Sequence, residues 1–233
     1  MGLDLTVIIL TFNEGKHLER AINSVKSFAK YIYIIDSGSN DETLDIARLQ
    51  GAKIFQNEFI NQAKQFQWAI DHTPINTEWV MRLDADEIIE NDLASELMRR
   101  LPNLDSDVSG IILDRKHIFM DKWIRHGGRY PLSMLRVWRH GRARVEDRWM
   151  DEHIIVSGGR MIRVKGGFSD HNLNDLTYFI EKHNKYATRE AIDVILKKLN
   201  LVSGQEKLNS NNLSFFTGVK RWVKESVYNR LPF

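Results

Sequence analysis

The sequence predicts an α/β fold: a Rossmann-like, mostly parallel sheet flanked by helices, followed by a smaller mixed region and C-terminal helices. Two observations support this fold class. In the first half, short apolar runs rich in β-branched residues alternate with segments whose apolar residues recur every three or four positions. The runs are continuous, which is typical of strands that are buried on both faces and joined by crossover helices.

The apolar spacing predicts four strands and three helices in the first half of the chain. In order, these are the strand Leu5–Leu10, the helix Leu18–Phe28, the strand Tyr31–Ile35, a helix around Leu44 and Ala47, the strand Ala52–Phe55, a helix over Ala63–Ile70 and the strand Trp79–Leu83. The second half is less regular, and three strands and one long helix are predicted there. These are Gly110–Leu113, Ser133–Trp138, His153–Val156 and the helix Asn174–Lys198.

The composition is that of an ordinary globular protein. The chain has 233 residues, of which 42% are hydrophobic and 27% charged, and it has no cysteine. The lack of cysteine excludes thiol catalysis, cysteine-ligated zinc and iron–sulfur clusters, and it favours the reducing cytoplasm. No signal peptide or membrane span is expected, because no basic N-terminal region precedes an apolar core and every apolar run is short.

The net charge of +2 hides an uneven distribution. Residues 1–107 contain 10 Lys and Arg against 18 Asp and Glu, whereas residues 108–233 contain 23 against 13. The two parts therefore carry net charges of −8 and +10. A basic half beside an acidic half indicates an anionic partner, such as phosphate or lipid headgroups. The alternative is a solvated surface whose charges compensate between the halves.

Carboxylates follow the predicted strands, at the edge where open α/β sheets bind ligands. Asp84-Ala85-Asp86-Glu87 follows one strand directly, and two carboxylates one residue apart can both reach one Mg²⁺ or Mn²⁺. Such triplets also occur in surface loops and at helix starts, where Glu87 would charge the first helical turn. A second segment, Asp36–Thr43, is either a turn with a helix cap or a site where Asp36 accepts from a uracil imide or ribose hydroxyls.

Three segments resemble, in this order, the family 2 glycosyltransferases of the GT-A fold, which are inverting enzymes with nucleotide-sugar donors. They are VIILTFNE at residues 7–14, IDSGSNDET at residues 35–43 and LDADE at residues 83–87. The rest of the chain is similar to the shorter bacterial members that build lipopolysaccharide core or other surface glycans. WMDEH at residues 149–153 and DHN at residues 170–172 match the acceptor half of that subgroup.

The resemblance implies a different role for each part of the chain. Residues 1–107 would bind the nucleotide-sugar, residues 108–200 of the same domain would bind the acceptor and supply the catalytic base, and residues 201–233 would form an amphipathic tail. The implied donor contacts are Thr11, Asn13, Glu14 and Asp36 to the nucleoside, Lys64 to the phosphates, and Asp84 and Asp86 to the diphosphate through Mg²⁺ or Mn²⁺. The family often has two acids where this chain has Asp36-Ser37.

The catalytic base of an inverting transferase deprotonates the acceptor hydroxyl as it attacks the anomeric carbon. The family has this carboxylate in its acceptor half, and Asp151-Glu152 is the best match to it in this chain. Glu152 is favoured, because a neighbouring acid and partial burial raise a carboxylate pKa; the alternative is a structural ion pair with Arg148. His171 is either a further metal ligand or, beside Asp170, a hydrogen-bonded structural residue.

Basic residues of the second half point to an anionic or lipid-linked acceptor, since arginine binds phosphate in a bidentate manner. The alternative is a solvated basic face. The run consists of Arg125, Arg129, Arg136, Arg139, Arg142 and Arg144. In the tail, Phe215, Phe216, Val219, Trp222 and Val223 stand among Lys and Arg, which indicates an amphipathic helix either on an anionic membrane or packed on the domain.

Taken together, these features predict a metal-dependent inverting glycosyltransferase that moves a hexose from a UDP-sugar to a glycan or lipid-linked glycan of the lipopolysaccharide type. We expect it in the cytoplasm, peripheral at the inner face of the plasma membrane through its tail. Relatives of this type often continue further, so a shortened chain is expected. The alternatives are a nucleotide- or glycan-binding module without turnover and a sugar nucleotidyltransferase. The 18 acids of residues 1–107 disfavour nucleic-acid binding.

Overall fold

Helices and strands alternate along the first half, as the apolar spacing predicts. The computed structural model describes residues 2–146 and 153–198. The first half contains β1 (Leu3–Thr11), α1 (Leu18–Val25), β2 (Ala29–Asp36), α2 (Thr43–Leu49), β3 (Lys53–Gln56), α3 (Gln62–His72) and β4 (Trp79–Asp84). The second half contains β5 (Glu87–Ile89), α4 (Asn91–Arg100), β6 (Val108–Phe119), β7 (Lys122–Trp123), β8 (Leu132–Arg139), β9 (Ala143–Val145), β10 (Ile154–Val156), β11 (Arg160–His171) and α5 (Leu176–Lys198).

One nine-stranded sheet runs through the described residues, in the order β3-β2-β1-β4-β8-β6-β11-β5, with β7 paired to β6. Neighbours among β1 to β4 are parallel. β8 is antiparallel to both β4 and β6, and β11 is parallel to β6 but antiparallel to β5. β9 and β10 form a separate two-stranded sheet. The predicted α/β class is therefore confirmed, with a parallel part and a mixed part in one sheet.

The first strand lies inside the sheet because both of its faces are apolar. Leu5, Val7 and Ile9 are fully buried in a cluster that includes α1 and α4, and Ile8 is buried in a second cluster that includes α3. Each such side chain contributes about 1.5–3 kcal/mol when it is fully buried. The sheet is thus covered by helices on both faces, and polar groups are left to its edges.

Two details of the second half differ from the sequence-based expectations. Glu87 does not lie in a helical turn: it begins β5, and α4 starts only at Asn91. β11 is a twelve-residue strand that the apolar spacing does not reveal. Its pattern is broken by a register shift around Gly166, whose φ is +94° and whose added Cβ would stand 2.7 Å from the Leu93 backbone.

The strand directions bring several polar segments to one edge of the sheet. β1, β2 and β4 end there at Thr11, Asp36 and Asp84, which lie side by side in the register. β6 and β11 run the same way as each other, antiparallel to β8, and they reach this edge at Phe119 and His171. We call this side of the sheet the polar edge. No helix within residues 2–146 and 153–198 is long and apolar enough to cross a bilayer.

Candidate active site

Asp36 organises the loop that follows β2. Its carboxylate is fully buried and accepts four hydrogen bonds. Oδ1 accepts from the hydroxyls of Thr11 at 2.9 Å and Ser39 at 2.5 Å, and Oδ2 accepts from the backbone N–H groups of Gly38 and Ser39, both at 2.9 Å. A carboxylate offers about four lone-pair sites, so the protein itself fills this one. Asp36 thereby fixes the loop after β2 against the end of β1.

The loop after β1 interlocks with the loop after β2. Asn13 has a φ of 56°; its N–H donates to Ser39 Oγ at 2.8 Å, and its side-chain oxygen accepts from the N–H of Asn40 at 2.9 Å. Asparagine tolerates this left-handed conformation better than most residues. The N–H of Glu14 donates to Thr43 Oγ1 at 2.8 Å. Beside them the Phe12 side chain is 59% exposed, which leaves an apolar face open at the polar edge.

His17 ties the start of α1 to the segment that leads into α5, and nothing in the sequence pattern singled it out. The ring is buried, with Nδ1 2.6 Å from Glu14 Oε2. Nε2 accepts a hydrogen bond from the N–H of Leu173 at 2.9 Å. Because Nε2 accepts, we assign the ring proton to Nδ1, which donates to Glu14. One Glu14 oxygen is therefore already bonded within the protein.

Asp84, at the end of β4, lies between two arginines. Arg82 Nε donates to Oδ1 at 3.1 Å, and Arg136 Nη2 lies 3.3 Å from Oδ2. The same Arg136 nitrogen lies 2.5 Å from Glu87 Oε1, and the other Glu87 oxygen accepts the N–H of Asp84 at 2.9 Å. Burial raises the pKa of Asp84, but the two arginines outweigh burial and hold the pKa far below its usual range. Asp84 is thus a fixed anion.

Asp86 is the carboxylate of the pair that the chain holds more loosely. Its Oδ2 accepts from Asn172 Nδ2 at 3.1 Å and lies 4.0 Å from Lys182 Nζ on α5. Its backbone carbonyl accepts the N–H of His171 at 2.9 Å, which joins the segment after β4 to the end of β11. Burial raises the pKa of Asp86, and the nearby charge of Asp170 adds to this increase.

Asp170 forms an acidic cluster with Asp84, Asp86 and Glu87, and His171 follows it at the end of β11. Asp170 Oδ2 lies 3.3 Å from both Arg115 Nη1 and His117 Nδ1. Burial raises its pKa, yet these two partners bring it below the usual value. His171 Nε2 is 3.0 Å from Asp121 Oδ1, and its backbone oxygen accepts from Arg20 Nη2 at 2.8 Å. His171 therefore links β11 to the β6–β7 turn as well as lying beside Asp86.

The acidic cluster carries its own cations, which offset the cost of burying several carboxylates. Arg82, Arg136, Arg115 and Lys182 each face at least one of its acids. No group of three or more His, Asp or Glu side chains with the spacing of a metal site occurs among the described residues. Mg²⁺ is, however, usually held by one or two carboxylates plus substrate phosphates. Asp86, which accepts one amide hydrogen bond and faces a lysine 4.0 Å away, fits that donor type better than Asp84, which is paired with two arginines.

The start of α3 reaches the polar edge beside the loop after β2. Asn61 caps the helix by accepting the N–H of Lys64 at 2.8 Å. Gln65 is buried and donates to Ser37 Oγ at 3.0 Å, so it fixes the helix start to this loop. Lys64 is exposed in the same turn. The structure thus brings Lys64 to the side of the sheet where Asp36 and Thr11 lie.

The expectation that Arg136 and Arg139 face an anionic acceptor is wrong. Arg136 is 3% exposed and is committed to Asp84 and Glu87. Arg139 pairs with Trp79 at the opposite end of β4, where it bonds Glu78 and the carbonyl oxygens of Val108 and Asp105. The other members of the run are exposed: Arg125, Arg129, Arg142 and Arg144. Asp151, Glu152 and Arg148 lie outside the described residues, as does the tail from residue 201.

A family match accompanies this geometry. The sequence profile of Glycosyl transferase family 2 matches residues 6–172, which include both loops of the polar edge, the Asp84–Asp86 pair and Asp170 to Asn172. The chain belongs to this family. The predicted family is therefore confirmed, whereas inversion and the lipopolysaccharide subgroup stay predictions.

Several glycosyltransferases are similar to part of this chain. An uncharacterized glycosyltransferase of Rickettsia bellii is 36% identical over 93 residues, which are 40% of this chain and 31% of that protein. Glycosyltransferase SunS of Bacillus phage SPbeta is 27% identical over 92 residues, 38% of this chain and 21% of that one. The chain thus matches less than a third of the length of these relatives.

Solved structures that are similar to part of this chain include glucosyl-3-phosphoglycerate synthase from Mycobacterium tuberculosis in complex with Mn²⁺, UDP and glucosyl-3-phosphoglycerate. It is 18% identical, covers 54% of this chain and 45% of its own, and has a TM-score of 0.40. A complex of the same enzyme with Mg²⁺ and UDP covers 48% of this chain and 43% of its own, at 17% identity and a TM-score of 0.40.

Proposed function

We propose that this protein is an inverting glycosyltransferase that transfers a hexose from a UDP-sugar to a hydroxyl group of a glycan, with a lipid-linked or lipopolysaccharide-type glycan as acceptor. The observation that carries the proposal is the polar edge itself. There two interlocked loops and the Asp84–Asp86 pair stand side by side, within the region that the family profile covers. Ligands of open α/β sheets bind at this edge.

The loops after β1 and β2 would bind the nucleoside. Asn13 and Glu14 line this region, and the exposed ring of Phe12 offers a face on which a base can stack. Thr11 is buried with its hydroxyl on Asp36, so it would contact the nucleoside only if that bond is exchanged. Asp36 would act by holding the loop in shape, with a direct contact to uracil or ribose only if one of its four bonds is exchanged. Lys64, exposed at the start of α3, would approach the phosphates.

Asp86 and Asp84 would hold Mg²⁺ or Mn²⁺, with His171 as a further predicted ligand. The ion would neutralise the charge that develops on the departing nucleoside diphosphate. Arg82 and Arg136 keep Asp84 ionised and oriented, so that its position does not depend on the ion. Asn172 orients Asp86 in the same way from the end of β11.

The acceptor hydroxyl would lose its proton to Glu152, with Asp151 as the alternative base. Both belong to the segment between β9 and β10, whose described ends are joined by the N–H of Glu146 and the carbonyl of His153 at 2.8 Å. The exposed Arg125 and Arg129, which follow the β6–β7 turn, would attract an anionic acceptor to the same edge of the sheet.

Calorimetric titration of the full chain with UDP in the presence of Mn²⁺ tests donor binding. We expect binding that Asp86→Asn weakens at least about tenfold, because the substitution removes a carboxylate ligand. Asp45→Asn on α2, where the side chain is 83% exposed, is the matched control and should bind as the wild type does. Equal affinity of wild type and Asp86→Asn would contradict the metal assignment.

Turnover separates the enzyme from its alternatives. A panel of UDP-sugars should be hydrolysed slowly without acceptor, and Glu152→Gln should abolish this more completely than Asp151→Asn. Binding of UDP without any hydrolysis or transfer would instead identify a binding module. Release of pyrophosphate from UTP and a sugar phosphate would identify a nucleotidyltransferase.

A further inference from the structure

Lys182 lies on the face of α5 that is turned toward the polar edge. Three residues earlier, the ring of Phe179 packs on Phe119 at the end of β6, with ring centroids 4.8 Å apart. Residues three apart share a helix face, so this contact sets the rotation of α5 and presents Lys182 to Asp86. The start of α5 is held by Asp175, which accepts the N–H of Tyr178 at 2.9 Å.

The contact between Lys182 and Asp86 is close but not a hydrogen bond. Nζ lies 4.0 Å from Asp86 Oδ2, beyond hydrogen-bonding distance, and 6.0 Å from the ring centroids of both Tyr178 and Tyr186. The lysine side chain is 33% exposed. The arginines of the acidic cluster differ from it, because Arg82 and Arg136 are at least nine-tenths buried and bonded at 2.5–3.3 Å.

The ammonium group stays charged in this setting. Burial lowers the pKa of Lys182, but the negative charge of Asp86, aided by Tyr186, Tyr178 and Glu14, more than compensates and raises the pKa above its ordinary value. A cation on a flexible four-carbon stem, with three donors and a long contact to its acid, is suited to exchanging partners.

We propose that Lys182 is a diphosphate-binding residue: it shields Asp86 in the free protein and moves onto a phosphate oxygen of the nucleotide donor when a divalent cation takes its place at Asp86. This rests on the proposed function. A divalent cation at Asp86 would bring phosphate oxygens of the donor with it, and the Lys182 ammonium lies 4.0 Å from the same carboxylate. The flexible lysine stem would then let the ammonium leave Asp86 for a phosphate oxygen.

The test compares the full-length wild type, Lys182→Ala and Lys185→Ala, an exposed lysine on the same helix. Two affinities are measured: that of UDP with Mn²⁺ saturating, by calorimetry, and that of Mn²⁺ alone, by the free-ion signal in electron paramagnetic resonance. Lys182→Ala should lower the affinity for UDP about tenfold. The same substitution should raise the affinity for Mn²⁺, because the competing ammonium is gone. Lys185→Ala should change neither affinity.

Changes of the two affinities in opposite directions distinguish this role from a structural one, since a damaged site would bind both ligands more weakly. The proposal is overturned if Lys182→Ala binds UDP as tightly as the wild type, or if the substitution lowers the affinities for both Mn²⁺ and UDP. It is also overturned if the wild type binds UDP but no Mn²⁺. Failure of the wild type to bind UDP at all overturns the proposed function and this role with it.

Discussion

At the scale of single residues, the polar edge consists of acids that the chain has already paired, each in a different way. Asp36 is bonded by hydroxyls and backbone amides, Asp84 and Glu87 by buried arginines, and Asp86 by an amide and a distant lysine. These differences decide which acid stabilises the fold and which is available to a ligand. The substitutions below separate the two kinds.

Asp36→Asn should destabilise the protein by about 1–3 kcal/mol, because the new amide group faces donors and leaves at least one buried partner without an acceptor. Chemical denaturation measures this change. Asp45→Asn, on the exposed side of α2, is the control and should stay within about 0.5 kcal/mol of the wild type. If the two variants unfold at the same denaturant concentration, the four bonds to Asp36 do not hold the loop.

Arg136→Met should cost about 3–5 kcal/mol of unfolding free energy above about pH 8, where Glu87 is ionised, because burial raises the pKa of Glu87 to about 8 and Arg136 is the cation that opposes this rise. The matched control is Arg129→Met, at an exposed position of the same basic run. Adding Glu87→Gln to Arg136→Met should recover part of the loss, because the glutamine oxygen still accepts the N–H of Asp84 without a charge. A double variant as unstable as Arg136→Met alone would contradict the ion-pair explanation.

At the scale of elements, α5 is attached mainly through its start. His17 accepts the N–H of Leu173, Lys16 donates to Asn174 at 3.2 Å, and Asn172 reaches Asp86. These bonds join the start of α1 and the segment after β4 to residues 172–174, which lead from β11 into α5. A small number of polar contacts therefore ties the start of α5 to the loops at the polar edge.

His17→Ala should loosen this attachment without unfolding the sheet. Amide hydrogen exchange, followed by mass spectrometry, should become faster in residues 173–182, whereas β1 and β4 keep the protection of the wild type. Gln67→Ala, on α3, is the control, since its side chain accepts the N–H of Val145 far from α5. Unchanged exchange in residues 173–182 would mean that His17 is not the tie.

At the scale of the whole molecule, the donor should stabilise the fold as a single unit, because its proposed site draws on β1, β2, β4 and β11. UDP with Mn²⁺ at about a hundred times the dissociation constant should add about 2.7 kcal/mol, a rise of about 5–10 °C in Tm. Differential scanning calorimetry measures it. A chelator should cancel the rise, and an equal shift in its presence would exclude a metal requirement.

The parallel part of the fold follows from the sequence because its strands are continuous apolar runs, such as Leu5–Leu10, that only a doubly covered sheet can bury. The acids after β2 and β4 follow from the same pattern, since they come directly after those runs. β11 does not, because Lys165, Gly166 and Gly167 interrupt it and its partners β6 and β5 are remote in the chain.

The local sequence pattern also does not predict which side chains of the site bind one another. Arg136 reaches Glu87 across 49 residues and His17 reaches Leu173 across 156, and both contacts arise only when β8 is inserted beside β4 and when β11 leads into α5. The sequence shows that Arg136 is a cation, but its burial depends on long-range strand order. A surface role was therefore expected where the structure has a structural ion pair.

Because α5 is long and attached near its start, a small tilt there moves its far end by several ångströms. Its 23 residues span about 35 Å at 1.5 Å per residue, so a tilt of about 10° at the start displaces the far end by about 6 Å. Its described side chains from Ala187 onward are exposed, so the contacts that resist such a tilt lie in its first half, such as Phe179 on Phe119. A pair of spin labels, one at Arg189 and one on the sheet, would report a tilt of α5 that accompanies an exchange of partners at Asp86 as a measurable change in distance.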